Sequence, residues 1–188
     1  MTTEPIRKKK QVRKLAGYWL KKCNFRNYAL IVVGIYTALR IGDLLRILWS
    51  DVFDFENGVF RTHITLTEQK TGKQKTIALN KDVIAALGML LPYKRGSYVF
   101  ASNRKEDKAI SRVQAWRIIK EAVNAIKLVG CYGCHSLRKT FGYLAYKAGV
   151  SSALLTDLFN HSNFEITKRY LGIDQDERDA VYLGLKIL

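Results

Sequence analysis

Apolar residues recur at helical spacing through the first quarter of the chain. The pattern predicts an amphipathic helix with a basic outer face over residues 11–23 and a second helix over 27–39. The second helix is apolar nearly all round and is therefore expected to be central, with Asn27 as its cap. A further apolar stretch over 41–52 predicts a third helix, so Arg40 is expected at a rigid junction between two helices.

The period changes over residues 59–79, where β-branched residues alternate with polar ones. This alternation predicts a β-hairpin or small sheet. Thr71 and Gly72 supply the turn, because glycine tolerates a positive φ, and they place Lys70 and Lys73 on opposite sides of the hairpin tip.

Helical spacing returns after the hairpin and continues to the end of the chain. Ser111 is the predicted N-cap of one of these helices. The fold class that follows is mainly α with one small antiparallel β-sheet (α+β), in a single domain spanning residues 1–188. The remaining helices are predicted over 81–91, 111–127, 136–147, 151–159, 165–170 and 176–187.

Length and composition agree with one folded domain. The chain has 188 residues, of which 48% are apolar, and that much apolar side chain can offset the entropy lost on folding. The first ten residues lack the features of a secretory signal, so the protein is expected to be cytoplasmic. The three cysteines, Cys23, Cys131 and Cys134, are an odd number and are expected to be thiols. A C-x-x-C-H pattern, typical of haem attachment, ends at His135, but covalent haem attachment implies export, so haem is not expected. A zinc site is not expected either, because it would need a second pair of Cys or His ligands at suitable spacing.

The charge of the chain indicates its partner. Thirty-two Lys and Arg against sixteen Asp and Glu give a net charge of +16, which favours a polyanion, and nucleic acid is the first candidate. An anionic membrane surface is the competitor, but no segment approaches the ~20 apolar residues of a spanning helix. Residues 1–50 hold eleven basic and two acidic residues, whereas 171–188 hold two basic and four acidic ones, so the two ends are predicted to attract each other.

Several polar groups suited to a phosphodiester lie in one otherwise apolar helical stretch: His135, Arg138, Lys139, His161 and Tyr170. Transesterification of DNA needs a nucleophile, positive charge on the non-bridging oxygens and a proton donor for the leaving 5′-oxygen. Arg40 and Arg138 could supply the charge without a metal, because a guanidinium stays charged and presents a rigid fork of donors. His135 lies three residues before Arg138, so the two share a helix face. His161 could donate a hydrogen bond or relay a proton, and Tyr170 offers the nucleophile.

Four segments, in order, resemble the tyrosine recombinases, also called phage-type integrases. The resemblance runs from about Pro5 to Ile173 and implies the catalytic-domain fold of that family. The segments are ALRIGDLLRILWSDV with Arg40, EQKTGKQKTIAL with Lys70, CHSLRKTFGYLAYKAGV with His135 and Arg138, and FNHSNFEITKRYLGI with His161 and Tyr170.

The resemblance implies a site-specific recombinase or integrase that cleaves and rejoins double-stranded DNA through a 3′-phosphotyrosyl intermediate, without metal, ATP or cofactor. It implies that Arg40 and Arg138 bind the scissile phosphate and that His161 steadies it. It also implies a bacterial, phage or mobile-element origin, a monomer in solution and a homotetramer on paired DNA sites.

The remaining roles implied by the resemblance concern proton transfer and assembly. Tyr170 is the nucleophile, and His135 accepts its proton. Lys70 protonates the leaving 5′-oxygen, with Lys73 as the alternative in the same hairpin. Residues 174–188 form a tail that packs either on a neighbouring subunit or back on its own domain.

The chain departs from the family pattern at three places. Lys139 stands where a second histidine is common, which adds a positive charge beside Arg138. Phe159 and Asn160 stand where Leu-Gly is common, and asparagine tolerates the unusual backbone angles that glycine would serve. The N-terminal helical core-binding domain of the family has no room before residue 5, so either an excised catalytic domain or a short recombinase is expected.

A different class of function also fits part of the sequence. The stretch LAYKAGVSSALLTDLF has the pattern of a helix-turn-helix, which together with the charge would suit a non-catalytic DNA-binding regulator or accessory protein. Such a protein would have no need of Tyr170 at a fixed distance from His161, nor of Arg40 far upstream.

The net charge predicts that binding to duplex DNA weakens steeply with salt. The logarithm of the association constant should fall by about 0.9 per neutralised phosphate for each decade of salt concentration, because bound cations release counterions. Fluorescence anisotropy titrations across a range of potassium chloride concentrations measure this slope. A flat salt response would rule out a broad basic DNA-binding surface.

Overall fold

Ten α-helices and two small antiparallel sheets make up the described part of the computed structural model, which comprises residues 2–104 and 107–185. The predicted mainly α fold is confirmed. A short 3-10 helix over Leu91–Tyr93 extends the fifth helix. The helices are α1 (Lys9–Lys21), α2 (Phe25–Thr37), α3 (Ile41–Leu45), α4 (Trp49–Val52), α5 (Lys81–Leu90), α6 (Arg112–Ala125), α7 (Cys134–Lys147), α8 (Ser152–Phe159), α9 (Phe164–Leu171) and α10 (Ile173–Gly184).

Helix α2 is the centre of the larger core, as its apolar sequence predicts. It is buried along nearly its whole length and packs against α1, α5 and α7. Its cap is Asn24 and not the predicted Asn27, because the Asn24 side chain accepts a hydrogen bond from the backbone N–H of Asn27 at 3.1 Å. The helix ends at Ala38, which adopts the left-handed conformation with φ of 51°.

The prediction of a single helix over 41–52 is wrong. The structure has two helices there, α3 and α4, because the chain between them pairs with another segment in an extended conformation. Val99 donates its backbone N–H to the Ile47 carbonyl at 3.0 Å, and Trp49 donates to the Ser97 carbonyl at 2.9 Å. The apolar side chains on both sides of the break remain buried, which is why the hydrophobic pattern concealed it.

The sheet predicted over 59–79 is two sheets. Strand β1 (Phe53–Asp54) pairs with β2 (Val59–Phe60), and β3 (His63–Thr67) pairs with β4 (Gln74–Ala78), both antiparallel. The chain changes partner between residues 61 and 62: Arg61 donates its backbone N–H to the Val52 carbonyl and continues the β1–β2 register, whereas Leu79 donates to the Thr62 carbonyl and continues the β3–β4 register.

The turn between β3 and β4 is confirmed. Gly72 has a φ of 65°, which a residue with a Cβ rarely adopts. Lys70 and Lys73 both lie in this turn and are exposed.

The C-terminal helices form a second, smaller core around Tyr143, Phe159, Leu171 and Ile173. Ser111 caps α6 as predicted, accepting a hydrogen bond from the backbone N–H of Gln114. The last helix begins at Ile173 and not at residue 176, because a left-handed Gly172 lets α10 start directly after α9. Part of the helix predicted over 176–187 lies outside the described residues.

The two ends of the chain meet, in agreement with their opposite charges. Asp176, in α10, pairs with Arg7 at 3.4 Å and accepts a hydrogen bond from the Tyr143 hydroxyl at 2.7 Å. The N-terminal segment is also fixed to α7, since Ile6 is buried and donates its backbone N–H to the Thr140 hydroxyl. Within residues 2–104 and 107–185, no helix combines the length and apolar character needed to cross a membrane.

Gly142 allows α7 to pack closely against the smaller core, because it has no side chain. A Cβ at this position would lie 2.6 Å from side-chain carbons of Leu171 and Phe159, far inside van der Waals contact. The substitution Gly142→Ala should lower the free energy of unfolding by about 1–3 kcal/mol, because these neighbours must shift. Urea-induced unfolding followed by circular dichroism measures the change.

Gly17 provides the matched control, since it is also helical and has no atom within 4 Å of a built Cβ. Gly17→Ala should raise the free energy of unfolding by about 0.5–1 kcal/mol through helix propensity alone. Stabilisation by both alanines would contradict the packing argument.

Candidate active site

Arg138 is the buried centre of the candidate site. It lies in α7, and only 3% of its surface is exposed. Its Nη1 donates to the carbonyl oxygen of Ala38 and its Nη2 to that of Phe159 at 3.2 Å, while its guanidinium stacks 4.5 Å from the centre of the Phe159 ring. Burial lowers the pKa of Arg138, but an arginine remains charged at any working pH. A permanent positive charge is thus fixed among α2, α7 and α8.

Arg40 stands between α2 and α3, at the predicted junction of two helices. Its Nη1 is buried and lies 2.9 Å from Oε2 of Glu68, which makes a close ion pair. The side chain remains 21% exposed, so part of the guanidinium is accessible.

Glu68 is a component of the site that the sequence analysis missed. Its side chain is completely buried, and it accepts hydrogen bonds from the Thr71 hydroxyl at 2.9 Å and from the Asn160 amide at 2.8 Å. Burial acts to raise the pKa of this carboxyl, but the Thr71 hydrogen bond and the Arg40 charge outweigh it, and the pKa is lowered. Glu68 is accordingly an anion inside a cationic site.

Tyr170 and His161 pack together beside Phe159. The ring centres of His161 and Tyr170 are 5.4 Å apart in an edge-on arrangement, and those of Phe159 and Tyr170 are 5.6 Å apart. The Nδ1 atom of His161 lies 2.9 Å from the Thr167 hydroxyl, which fixes the ring. Asn160 has a φ of 53°, which confirms the left-handed conformation expected just before His161.

The environment of Tyr170 keeps its hydroxyl protonated. Burial raises the pKa of Tyr170, while the positive charges of Arg138 and Arg40 act in the opposite direction without cancelling the effect. Since the neutral phenol is a weak nucleophile, a neighbouring base has to remove its proton for attack.

Both histidines of the site are suited to accept or relay protons. His135 is exposed in the first turn of α7, and its pKa is lowered by partial desolvation and by the charges of Lys139 and Arg138. Desolvation and the charges of Arg138 and Arg40 also lower the pKa of His161. Because an unperturbed histidine has a pKa near ~6.5, both rings are mostly neutral at pH 7.

Lys139 is held by the protein itself. It is 8% exposed, its Nζ donates to the Thr3 carbonyl at 2.7 Å, and the same atom lies 4.9 Å from the centre of the Tyr170 ring. Lys139 therefore packs over the Tyr170 ring and ties α7 to the N-terminal segment.

Of the three hairpin lysines, only Lys75 is directed into the site. Its Nζ donates to the Leu158 carbonyl at 2.8 Å, and its pKa is lowered by burial and by the nearby charge of Arg138. Lys70 and Lys73 remain exposed in the turn, although the charge of Lys70 contributes to the lowered pKa of both site histidines.

Glu68 and Lys75 were not among the site residues predicted from the sequence, although their positions in the hairpin carry a signal. Glu68 follows Ile64 and Leu66 at intervals of two, and Lys75 precedes Ile77 in the same way. Because side chains alternate across a strand, both polar residues continue the inward-facing row.

The three cysteines are free thiols. Cys131 and Cys134 are partly buried next to His135, and burial raises the pKa of Cys134 to about 11, which makes this thiol unreactive. Throughout residues 2–104 and 107–185, no three His, Cys, Asp or Glu side chains are grouped so that they could hold a metal ion. Of the predicted site residues, those that the structure brings into one region are Arg40, His135, Arg138, His161 and Tyr170.

Comparison with known proteins gives integrase and recombinase relatives. The chain is 39% identical over 180 residues to the probable integrase/recombinase YoeC of Bacillus subtilis, a match that covers 95% of this chain and 94% of that one. It is 30% identical over 165 residues to the tyrosine recombinase XerC of Caldanaerobacter subterraneus, covering 83% of this chain and 44% of XerC. The chain thus spans nearly all of one relative and about half of the longer one.

The fold is shared with a solved recombinase. The structure of XerH site-specific recombinase bound to palindromic difH substrate superposes with a TM-score of 0.73 at 18% identity, covering 97% of this chain and 54% of XerH. The sequence model of the phage integrase family matches residues 7–177. With nearly the whole chain matched in this way, the protein belongs to the phage integrase family, the tyrosine recombinases.

Proposed function

We propose that this chain cleaves and rejoins DNA strands at specific sites through a covalent bond between Tyr170 and a 3′-phosphate. The observation that carries the proposal is the position of Tyr170. Its ring is packed against Phe159 and His161, in the field of two arginines that come from distant parts of the sequence. A tyrosine with only a structural role would not need two guanidinium groups beside it.

In the proposed reaction, Arg40 and Arg138 bind the non-bridging oxygens of the scissile phosphate and stabilise the charge that develops on them. His161 donates a further hydrogen bond to the phosphate. The Tyr170 oxygen attacks phosphorus and passes its proton to His135, which is available as a neutral base. A phosphorus–tyrosine bond forms as the bond to the 5′-oxygen breaks.

The leaving 5′-oxygen takes a proton from a hairpin lysine. We assign this role to Lys70, which lies in the turn and is free to move toward bound DNA, in preference to Lys73. Lys75 is held by the Leu158 carbonyl and is better suited to supply fixed positive charge. Because the tyrosyl ester keeps the energy of the phosphodiester, a second 5′-hydroxyl can attack it and restore a DNA strand without ATP.

The proposed substrate is double-stranded DNA. The net charge of +16 supports this assignment, as does the XerH relative in fold, which was solved bound to its difH substrate. The bacterial source of the YoeC relative suits a chromosomal or mobile-element enzyme that acts in the cytoplasm, where its DNA lies.

The alternative function, a non-catalytic helix-turn-helix regulator, has one structural feature in its favour. Helices α7 and α8 are joined by a short turn at Gly149, which has a φ of 86°. This alternative leaves the buried Arg138, the Arg40 ion pair and the packed Tyr170 without a purpose, so the catalytic function is preferred.

Replacement of Tyr170 by phenylalanine should abolish covalent attachment to DNA. A nicked suicide duplex traps the phosphotyrosyl product, which denaturing gel electrophoresis resolves as a protein–DNA adduct. Tyr170→Phe should form no adduct while binding DNA as tightly as wild type, because only the attacking oxygen is removed.

Tyr93→Phe is the matched control, since Tyr93 is 62% exposed and lies outside the site. It should form the adduct at the wild-type rate. Equal adduct formation by Tyr170→Phe, or none by wild type on any site-bearing DNA, would disprove the proposed chemistry.

The tail is proposed to join neighbouring subunits in a tetramer on paired DNA sites. The first half of α10 is fixed to its own domain, where Glu177 pairs with Lys168 at 2.7 Å and accepts a hydrogen bond from Tyr146. Its second half and the residue directly after it present large apolar side chains to solvent, which is typical of a binding surface. The exposed residues are Val181 (66%), Tyr182 (82%), Leu183 (86%) and Leu185 (65%).

Truncation after Ala180 should lower tetramer assembly on paired sites at least tenfold and leave binding to a single site within about twofold, because the apolar contact is lost and the DNA surface is kept. Native gel shifts with one and two sites measure both. Val129→Ser is the control for loss of an exposed apolar residue elsewhere, since Val129 is 92% exposed. Undiminished assembly by the truncated protein would refute the proposed role.

A further inference from the structure

Glu68 is a carboxylate in a buried position, where removal from water costs free energy. The side chain is completely buried directly after β3, where it contacts Arg40, Thr71 and Asn160. Its two oxygens are used unequally: Oε2 receives every polar contact, whereas Oε1 is buried with no hydrogen-bond partner among the described residues. A buried carboxylate oxygen without a hydrogen bond costs free energy, so a compensating benefit is expected elsewhere.

The contacts of Oε2 join three segments that carry the proposed reactive residues. Nη1 of Arg40 lies at 2.9 Å, the Thr71 hydroxyl donates from 2.9 Å, and the Asn160 amide donates from 2.8 Å. Thr71 directly follows Lys70 in the hairpin turn, and Asn160 directly precedes His161. One oxygen atom therefore links the arginine junction, the lysine turn and the histidine loop.

The backbone of Glu68 strengthens this link by closing the turn. Its N–H donates to the Lys73 carbonyl at 3.0 Å, and its carbonyl accepts the N–H of Gly72 at 2.9 Å. The carboxylate consequently has little freedom to move away from Arg40, since both its main chain and its side chain are fixed.

The geometry of the Arg40 contact is that of an orienting anion. The guanidinium is drawn to Oε2 by charge, with its Nη1 2.9 Å from the carboxylate oxygen. The pairing thus restricts where Arg40 lies, while 21% of the side chain stays exposed and accessible to a phosphate. The low pKa of Glu68 agrees with a carboxylate that stays ionised beside the arginine.

We infer that Glu68 is a positioning residue for DNA cleavage, which holds the Arg40 guanidinium in the orientation that receives the scissile phosphate. The inference rests on the proposed function, because it assigns Glu68 a part in that reaction. Glu68 acts through Arg40, while its bonds to Thr71 and Asn160 keep the carboxylate itself in place.

The test compares Glu68→Gln with wild type in single-turnover cleavage of nicked suicide DNA. Glutamine has the same shape and can keep one oxygen at the Oε2 position, but it removes the charge that orients Arg40. We expect cleavage to slow by about 10- to 100-fold, because a misplaced catalytic group costs about that much. Binding of DNA at saturation and the midpoint of thermal unfolding should change little. Glu56→Gln, at an exposed glutamate in the β1–β2 turn, should match wild type.

A second substrate distinguishes the Arg40 pairing from an effect on the hairpin lysine. A sulfur atom in place of the bridging 5′-oxygen leaves as a thiolate, which needs no proton because thiols ionise near a pKa of ~8.5. This substrate should restore the rate of Lys70→Ala, whereas Glu68→Gln should stay slow on it. Restoration of Glu68→Gln by sulfur would overturn the inference, since Glu68 would then act through the lysine.

A double-mutant comparison provides a readout that a merely structural role would not move. In an Arg40→Lys background, Glu68→Gln should slow cleavage by no more than about twofold further, because the geometry it supports has already been lost. If the two effects instead multiply, Glu68 does not act through Arg40. Glu68→Asp serves if the glutamine variant fails to fold, and its shortened carboxylate should give a smaller loss that also vanishes in the Arg40→Lys background.

The outcomes separate this inference from the proposed function. Absence of any wild-type adduct on both substrates would refute the proposed function itself. A wild-type enzyme that cleaves, together with a Glu68→Gln variant that cleaves equally fast, would refute only the role of Glu68.

Discussion

The buried guanidinium of Arg138 is the interaction on which the geometry of the site depends. A charge removed from water has to be hydrogen bonded, and Arg138 meets this need with the main-chain oxygens of Ala38 and Phe159. Each of these carbonyls lies two residues before another proposed reactive residue, Arg40 in one case and His161 in the other. Arg138 therefore holds the backbone just before Arg40 and just before His161. The left-handed residues at the C-terminal ends of α2 and α8, Ala38 and Asn160, then turn the chain toward the site.

The sequence was sufficient to predict the helices whose apolar residues recur at helical spacing. The prediction failed where pairing with a distant segment decides the backbone conformation. Helices α2, α5 and α6 appear close to their predicted bounds, because their apolar faces are decided by local spacing. The break between α3 and α4 could not be predicted, since it depends on an extended Leu48 that pairs with Tyr98, a residue far away in the sequence. The β1–β2 sheet could not be predicted either, because its strands are only two residues long and show almost no alternation of apolar and polar residues.

Most of the candidate site could be proposed from the sequence because its groups sit in recognisable local patterns. The structure gathers Arg40, His135, Arg138, His161 and Tyr170, although their separation in sequence reaches 130 residues, from 40 to 170. Glu68 and Lys75 were overlooked, because charged residues in a hairpin are usually solvated and only the inward-facing row of β3 and β4 sets these two apart. Lys75 donates to the Leu158 carbonyl and Glu68 accepts from the Asn160 amide, both more than eighty residues away, and Glu68 also pairs with Arg40 from another part of the chain.

The end of α8 contributes an electrical property to the site. The aligned peptide dipoles of a helix place about half a negative charge at its C-terminus. Lys75 and Arg138 bind the last carbonyls of α8, those of Leu158 and Phe159, so the helix serves as an internal counter-ion for two cations. In the proposed reaction, a phosphate has to share these cations with the helix, which moderates its binding in the ground state. The greater charge of a phosphoryl transition state competes better for the same cations, and this difference is what accelerates a reaction.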